Sequence, residues 1–163
     1  MDSIKFAGNE GENAFDQIIP NAEKPQSAKE GDRIIPNYGP LEIKICRANT
    51  INQVRAIRGI PLVTYAPNHV PKWYVIGPDD LVRLVSKKQR GQHTEIPFEC
   101  ANLSINSITP WGVEEHKLEE KLLKTFSQLK YKEDMRRLYE EIINVRQRYN
   151  EGRFLSDSTQ TEE

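Results

Sequence analysis

Three observations predict an α+β chain with a folded middle and two extended ends. Residues 39–108 alternate short β-type runs with helix-type runs, residues 109–152 carry apolar side chains at helical spacing, and residues 1–38 hold no sustained apolar period. Hydrophobic residues make up 37% of the 163 positions, below the roughly 45–50% of a fully packed chain. That shortfall predicts that part of the chain stays outside any core.

Residues 1–38, rich in Gly, Asn, Glu, Pro and Ser, are expected to form a disordered arm, because they offer too little apolar surface to offset the entropy of ordering. Within this arm Asp16-Gln17-Ile18-Ile19-Pro20-Asn21 recurs sixteen residues later as Asp32-Arg33-Ile34-Ile35-Pro36-Asn37, a D-x-I-I-P-N pattern. A residue before proline is pushed toward extended backbone, so each copy is expected to display its isoleucines on a strand-like peptide. Ile18, Ile19, Ile34 and Ile35 are therefore candidate anchors of a duplicated docking peptide that gains avidity from its two copies. The competing role is packing on the chain's own core.

Residues 39–108 read as a small α+β domain. Leu41-Glu42-Ile43-Lys44-Ile45 alternates apolar and polar residues, which predicts a strand. Thr50-Ile51-Asn52-Gln53 has the form of a capping box, and Ile51, Val54 and Ile57 follow at helical spacing before Gly59 and Pro61, predicting a short helix. Ile60 to Tyr65 and Lys72 to Ile76 read as strands joined by the turn Ala66-Pro67-Asn68-His69. Pro78 with Asp79 and Asp80 opens a second helix whose stripe is Leu81, Leu84 and Val85 and whose end carries Lys87, Lys88, Arg90 and Gly91. Ile96-Pro97-Phe98-Glu99-Cys100 reads as an edge strand. The resulting β-α-β-β-α-β order matches a ferredoxin-like split βαβ sandwich.

Residues 109–152 read as a helical, coiled-coil-like arm, with Thr109 as N-cap ahead of Pro110. Leu118, Leu122, Phe126 and Leu129 form one apolar series. Met135, Leu138, Ile142, Val145 and Tyr149 form a second, out of phase with the first, among Glu, Lys and Arg. Residues 153–163 are expected to be a disordered tail.

Charge is uneven: residues 1–40 carry 4 basic and 7 acidic side chains, residues 41–112 carry 9 and 5, residues 113–152 carry 9 and 9, and the tail carries 1 and 3. A mildly basic middle lacks the dense patch of a strong nucleic-acid binder. No apolar run approaches the roughly 20 residues needed to span a bilayer. The N-terminus Met1-Asp2-Ser3-Ile4-Lys5 has neither a basic region nor an apolar region of signal-peptide type. Two cysteines, Cys46 and Cys100, in no CxxC pair predict a reducing, intracellular setting, cytoplasm or nucleus.

No local catalytic signature occurs: no G-x-S-x-G, no phosphate-cradling glycine loop, no H-E-x-x-H. Asp79 and Asp80 are adjacent and so point in different directions on a helix, where acidic residues at the first turn have a structural use. Cys46, His69, His93 and Cys100 lack the short paired spacings of a zinc site. The expectation is a non-enzymatic interaction protein, an adaptor or scaffold-like assembly subunit without cofactor or metal. Its partners would be other proteins, or a second copy bound through Met135, Leu138, Ile142, Val145 and Tyr149. The alternative is a nucleic-acid-binding module of RNA-recognition type, with Trp73 stacking on bases and Arg83, Lys87, Lys88 and Arg90 meeting phosphates. Against it, Lys72 to Ile76 lacks the glycines and spaced aromatics of that module, and Leu41 to Ile45 has no aromatic.

Overall fold

A computed structural model describes residues 2–27, 30–86 and 100–129, together with positions 137, 140, 141 and 144. Helices and a mixed sheet make up an α+β fold. In chain order the elements are α1 (Asp2–Ile18), β1 (Arg33–Ile35), β2 (Gly39–Ile45), β3 (Thr50–Arg55), β4 (Leu62–Tyr65), β5 (Trp73–Ile76), α2 (Pro78–Ser86), β6 (Cys100–Ser104), β7 (Gly112–Val113) and α3 (Leu118–Ser127). Five strands form one sheet in the order β1-β2-β4-β5-β7, and β3 pairs with β6 in a separate ribbon.

The strands expected near Leu41, Leu62 and Trp73 form the centre of the sheet. β2 and β4 run parallel, with Ile43 opposite Val63, and β5 returns antiparallel, with Tyr74 opposite Thr64. Alternation along a strand sends successive side chains to opposite faces, and both faces are covered. Trp73 and Val75 join one core with Phe15, Ile19, Ile35, Leu41, Ile43, Val63, Leu118, Leu122 and Phe126. Tyr74 and Ile76 join another with Ile51, Val54, Leu81, Val82, Val85, Ala101 and Leu103. So α1 and α3 lie on one face, and the β3–β6 ribbon and α2 lie on the other. Burial on both sides explains why Trp73 to Ile76 is an unbroken apolar run.

Four expectations are corrected. The helix expected from Thr50 is strand β3. Ile51 sits opposite Leu103 and Val54 opposite Ala101, so three steps on β3 match two on β6. That extra residue is a β-bulge. Gln53 adopts φ 53°, and its N–H donates to Asn102 Oδ1 at 2.9 Å. The bulge puts two apolar residues three apart on one face, which imitates helical spacing. Gly59 still acts as a stop, with φ 68° after the 3-10 turn Ala56–Arg58.

The split βαβ order is likewise not formed. A split unit needs its third strand between the first two, whereas β4 stands directly beside β2 with β5 outside it. The helix expected from Thr109 starts later. Ile105–Trp111 is a 3-10 helix that contains Pro110, and Gly112–Val113 then pairs with Trp73 and Tyr74 at the sheet edge. α3 begins at Leu118, and Leu118, Leu122 and Phe126 are buried as their spacing implies.

The arm expected to be disordered contains α1 and β1, with Phe15 0% and Ile19 1% exposed. Its apolar residues are few but they converge on the sheet core, and each buried large side chain contributes about 1.5–3 kcal/mol. The outer edge of β1 is closed by Glu23, which exchanges two backbone hydrogen bonds with Ile34 at 2.8 and 2.9 Å. Edges left open invite unwanted pairing. Gly31 enters β1 at φ 131°, and a Cβ there would lie 2.7 Å from the Leu41 carbonyl oxygen. Gly31→Ala should therefore lower the unfolding free energy by about 1–3 kcal/mol, read as a reduced urea midpoint. An unchanged midpoint would mean the backbone relaxes freely there.

Candidate functional site

The repeated hexapeptide takes two conformations with one common ending. Asp16–Ile18 closes α1, whereas Arg33–Ile35 forms β1. In each copy the second isoleucine carbonyl accepts a turn hydrogen bond three residues on, from Ala22 N–H at 3.2 Å and from Tyr38 N–H at 3.0 Å. Proline stops each element because it has no N–H and fixes φ, and asparagine tolerates the following turn position. Asn37, at φ 71°, has the left-handed value of a type II turn.

Ile19 and Ile35, expected as peptide anchors, are 1% and 3% exposed in the chain's own core. Ile35 shares its strand face with the buried Arg33, two residues before it, and Ile19 follows the buried Phe15 by one helical turn. As a docking element the repeat is left with Ile18 and Ile34, both half-buried.

The two copies also bind each other. Arg33 is 5% exposed; its Nε and Nη2 donate to Asp16 Oδ1 and Oδ2 at 2.8 and 2.9 Å, and its Nη1 donates to Glu12 Oε1 at 3.1 Å. This two-pronged pairing is the strong guanidinium–carboxylate geometry. Asp32 Oδ2 accepts from the Ile43 N–H at 2.8 Å. A clamp of opposite charges thus fastens α1 to the sheet. Burial pushes the Glu12 carboxyl above its ordinary value, and the Arg33 guanidinium opposes that rise.

Glu42, with 11% of its side chain exposed, pairs with Arg58 at 2.6 Å. Burial raises its pKa above the ordinary 4.5, opposed mainly by Arg58 and Lys44. Since the folded state holds this proton more tightly than the unfolded chain, the contribution is full below about pH 4.5 and is lost as pH rises through the folded value. Glu42→Gln should flatten that decline. Urea unfolding from pH 4 to 7 checks the sign: an unaltered slope would remove Glu42 as its source.

Of the residues of the nucleic-acid alternative, Trp73 and Arg83 are described. Trp73 is 0% exposed, its ring 4.6 Å from that of Tyr65 in the core, so it presents no face for stacking on bases. Its Nε1–H has no acceptor among the described residues, and neither has the Thr64 hydroxyl a partner. Arg83 is exposed and lies 3.5 and 3.4 Å from Asp79 and Asp80. Lys87, Lys88 and Arg90 lie outside the described residues.

Among the chemically capable groups, Asp79 and Asp80 stand at the start of α2, and Asp80 accepts from Trp111 Nε1 at 3.2 Å. They border a small cavity of about 110 Å³ shared with Lys121, Thr125 and Gln128 of the α3 segment. Cys46 is fully buried, and burial pushes its thiol up, away from a nucleophilic thiolate. The His69 ring meets the Ala48 carbonyl, and the Asn68 side chain donates to the Arg47 carbonyl at 2.9 Å, so both fasten loops. Among the described residues no group of three or more His, Cys, Asp or Glu is placed to hold a metal, and no helix is long and apolar enough to cross a membrane.

In the C-terminal segment Arg137, Glu140, Glu141 and Asn144 are helical and exposed. Their spacing of three, one and three marks a polar stripe on one side of a 3.6-residue helix. Met135, Leu138, Ile142, Val145 and Tyr149 lie outside the described residues.

Comparison with protein-family models, with curated proteins and with solved structures returns no match.

Proposed function

We propose that the protein is a non-enzymatic interaction module, an adaptor or assembly subunit that associates with a partner protein or a second copy through its C-terminal helical face. The observation that carries this reading is the polar stripe at Arg137, Glu140, Glu141 and Asn144, helical and exposed. In sequence, Leu138, Ile142 and Val145 alternate with that stripe at complementary spacing, as they do in an amphipathic helix that covers its apolar side against another surface. The first apolar series supplies a contrast. Leu118, Leu122 and Phe126 are used up in the chain's own core, so association falls to the second series.

The proposal places the protein in the cytoplasm or nucleus, in keeping with a free Cys46. Burial of each aliphatic in such a contact is worth about 1.5–3 kcal/mol. Leu138→Asp with Ile142→Asp should therefore abolish the assembly while the sheet domain keeps its unfolding midpoint. Light scattering of wild type and double mutant gives the answer for self-association, and affinity purification gives it for a foreign partner. Equal masses together with equal sets of co-purifying proteins would overturn the reading.

A further inference from the structure

At the edge of the sheet opposite β1, the turn leading into β5 and the β7 strand enclose a groove of about 450 Å³. It is lined by Val70, Pro71, Lys72, Trp73, Gly112, Val113, Glu114 and Glu115. A Cβ on Gly112 would stand 2.6 Å from Pro71 Cγ, so only glycine lets these two segments approach so closely. Trp73, fully buried, closes the groove from the core side.

Val70 is 97% exposed. Beside it β7 ends the strand order, with no strand on its outer side among the described residues. Among the described lining residues the charge is acidic on balance, with exposed Glu114 and Glu115 against Lys72. Glu114 lies 3.4 Å from the exposed His116, while Glu115 has no ion pair among the described residues.

We propose that this groove is a second interaction site, which takes an extended peptide of another protein carrying a bulky aliphatic side chain next to a basic residue. The aliphatic group packs on Val70, Pro71 and Val113, and the cation meets Glu115 and Glu114. The volume lies within the range of pockets that hold one ligand group, and a terminal strand favours an extended chain laid along it. The acidic rim selects the sign of the flanking residue.

The probes are three fluorescein-labelled octapeptides: alternating leucine and arginine, leucine and glutamate, and serine and arginine. Fluorescence anisotropy with the full chain should show the leucine–arginine peptide bound, with the other two at least tenfold weaker. Val70→Asp and Glu115→Lys, both at exposed positions, should each weaken it at least tenfold, and added salt should weaken it further. Binding that ignores both substitutions, or equal binding of the serine–arginine peptide, would overturn the proposal, as would no binding of any peptide. A mass that falls on Val70→Asp would instead mark the groove as a contact between copies. The Leu138→Asp, Ile142→Asp variant should bind the peptide like wild type, so the helical-face reading and the groove fail or stand separately.

Discussion

Trp73→Ala is expected to cost about 3–5 kcal/mol of unfolding free energy, the largest effect of any single substitution here. The ring is 0% exposed on β5, with Tyr65 at 4.6 Å and an interplanar angle of 32°. It lies in the core where β5 meets α3, among Val75, Leu118 and Leu122. Alanine would leave a cavity that the paired strands β4 and β7 on either side hold open.

Trp73→Phe separates volume from polarity. It keeps an aromatic ring and removes an indole N–H that has no acceptor among the described residues. An unmet buried donor costs about 1–3 kcal/mol, which offsets part of the lost packing, so this change should cost far less than alanine. Urea denaturation followed by circular dichroism measures both. A difference below about 1 kcal/mol between wild type and Trp73→Ala would contradict the burial of this residue.

Arg33→Leu is expected to cost about 3 kcal/mol. Removing one partner of a buried ion pair commonly costs 3–5 kcal/mol. The low end applies because Glu12 and Asp16 keep 25% and 37% of their side-chain exposure, and water screens the charges left behind. The loss should be local at first: α1 amides should exchange faster while those of β4 and β5 stay protected.

Adding Glu12→Gln and Asp16→Asn to Arg33→Leu should restore part of the stability, since the like charges facing each other are then gone. Simple addition of the separate costs would mean that the three side chains act independently, contrary to their distances of 2.8 to 3.1 Å.

Several elements were legible without any tertiary information, and each rests on a local cause. Pro78 with Asp79 and Asp80 marked the start of α2 because proline at the first helical position and carboxylates at the positive end of the dipole are short-range effects. The runs at Leu41, Leu62 and Trp73 read as strands from their own alternation and β-branched content. The Leu118, Leu122, Phe126 spacing announced α3 as an amphipathic helix. The sequence could not say whether the covering surface was foreign or the chain's own sheet.

What tertiary structure decided was everything that depends on a distant partner. Ile51 and Val54 fit a helix or a bulged strand equally well, and the pairing with Leu103 and Ala101 settled which. Pro110 looked like a helix start until Gly112–Val113 found the edge of β5. The arm of α1 is too polar to order alone, and it does so on a sheet that offers Ile43 and Val63 to its apolar side and the Arg33 guanidinium to Glu12 and Asp16. By itself the sequence determined periodicities and stops, which act over a turn or a strand. Pairing register, the face each apolar stripe covers and the fate of the repeated isoleucines are free energies of contact between segments far apart in the chain, and no local window contains them.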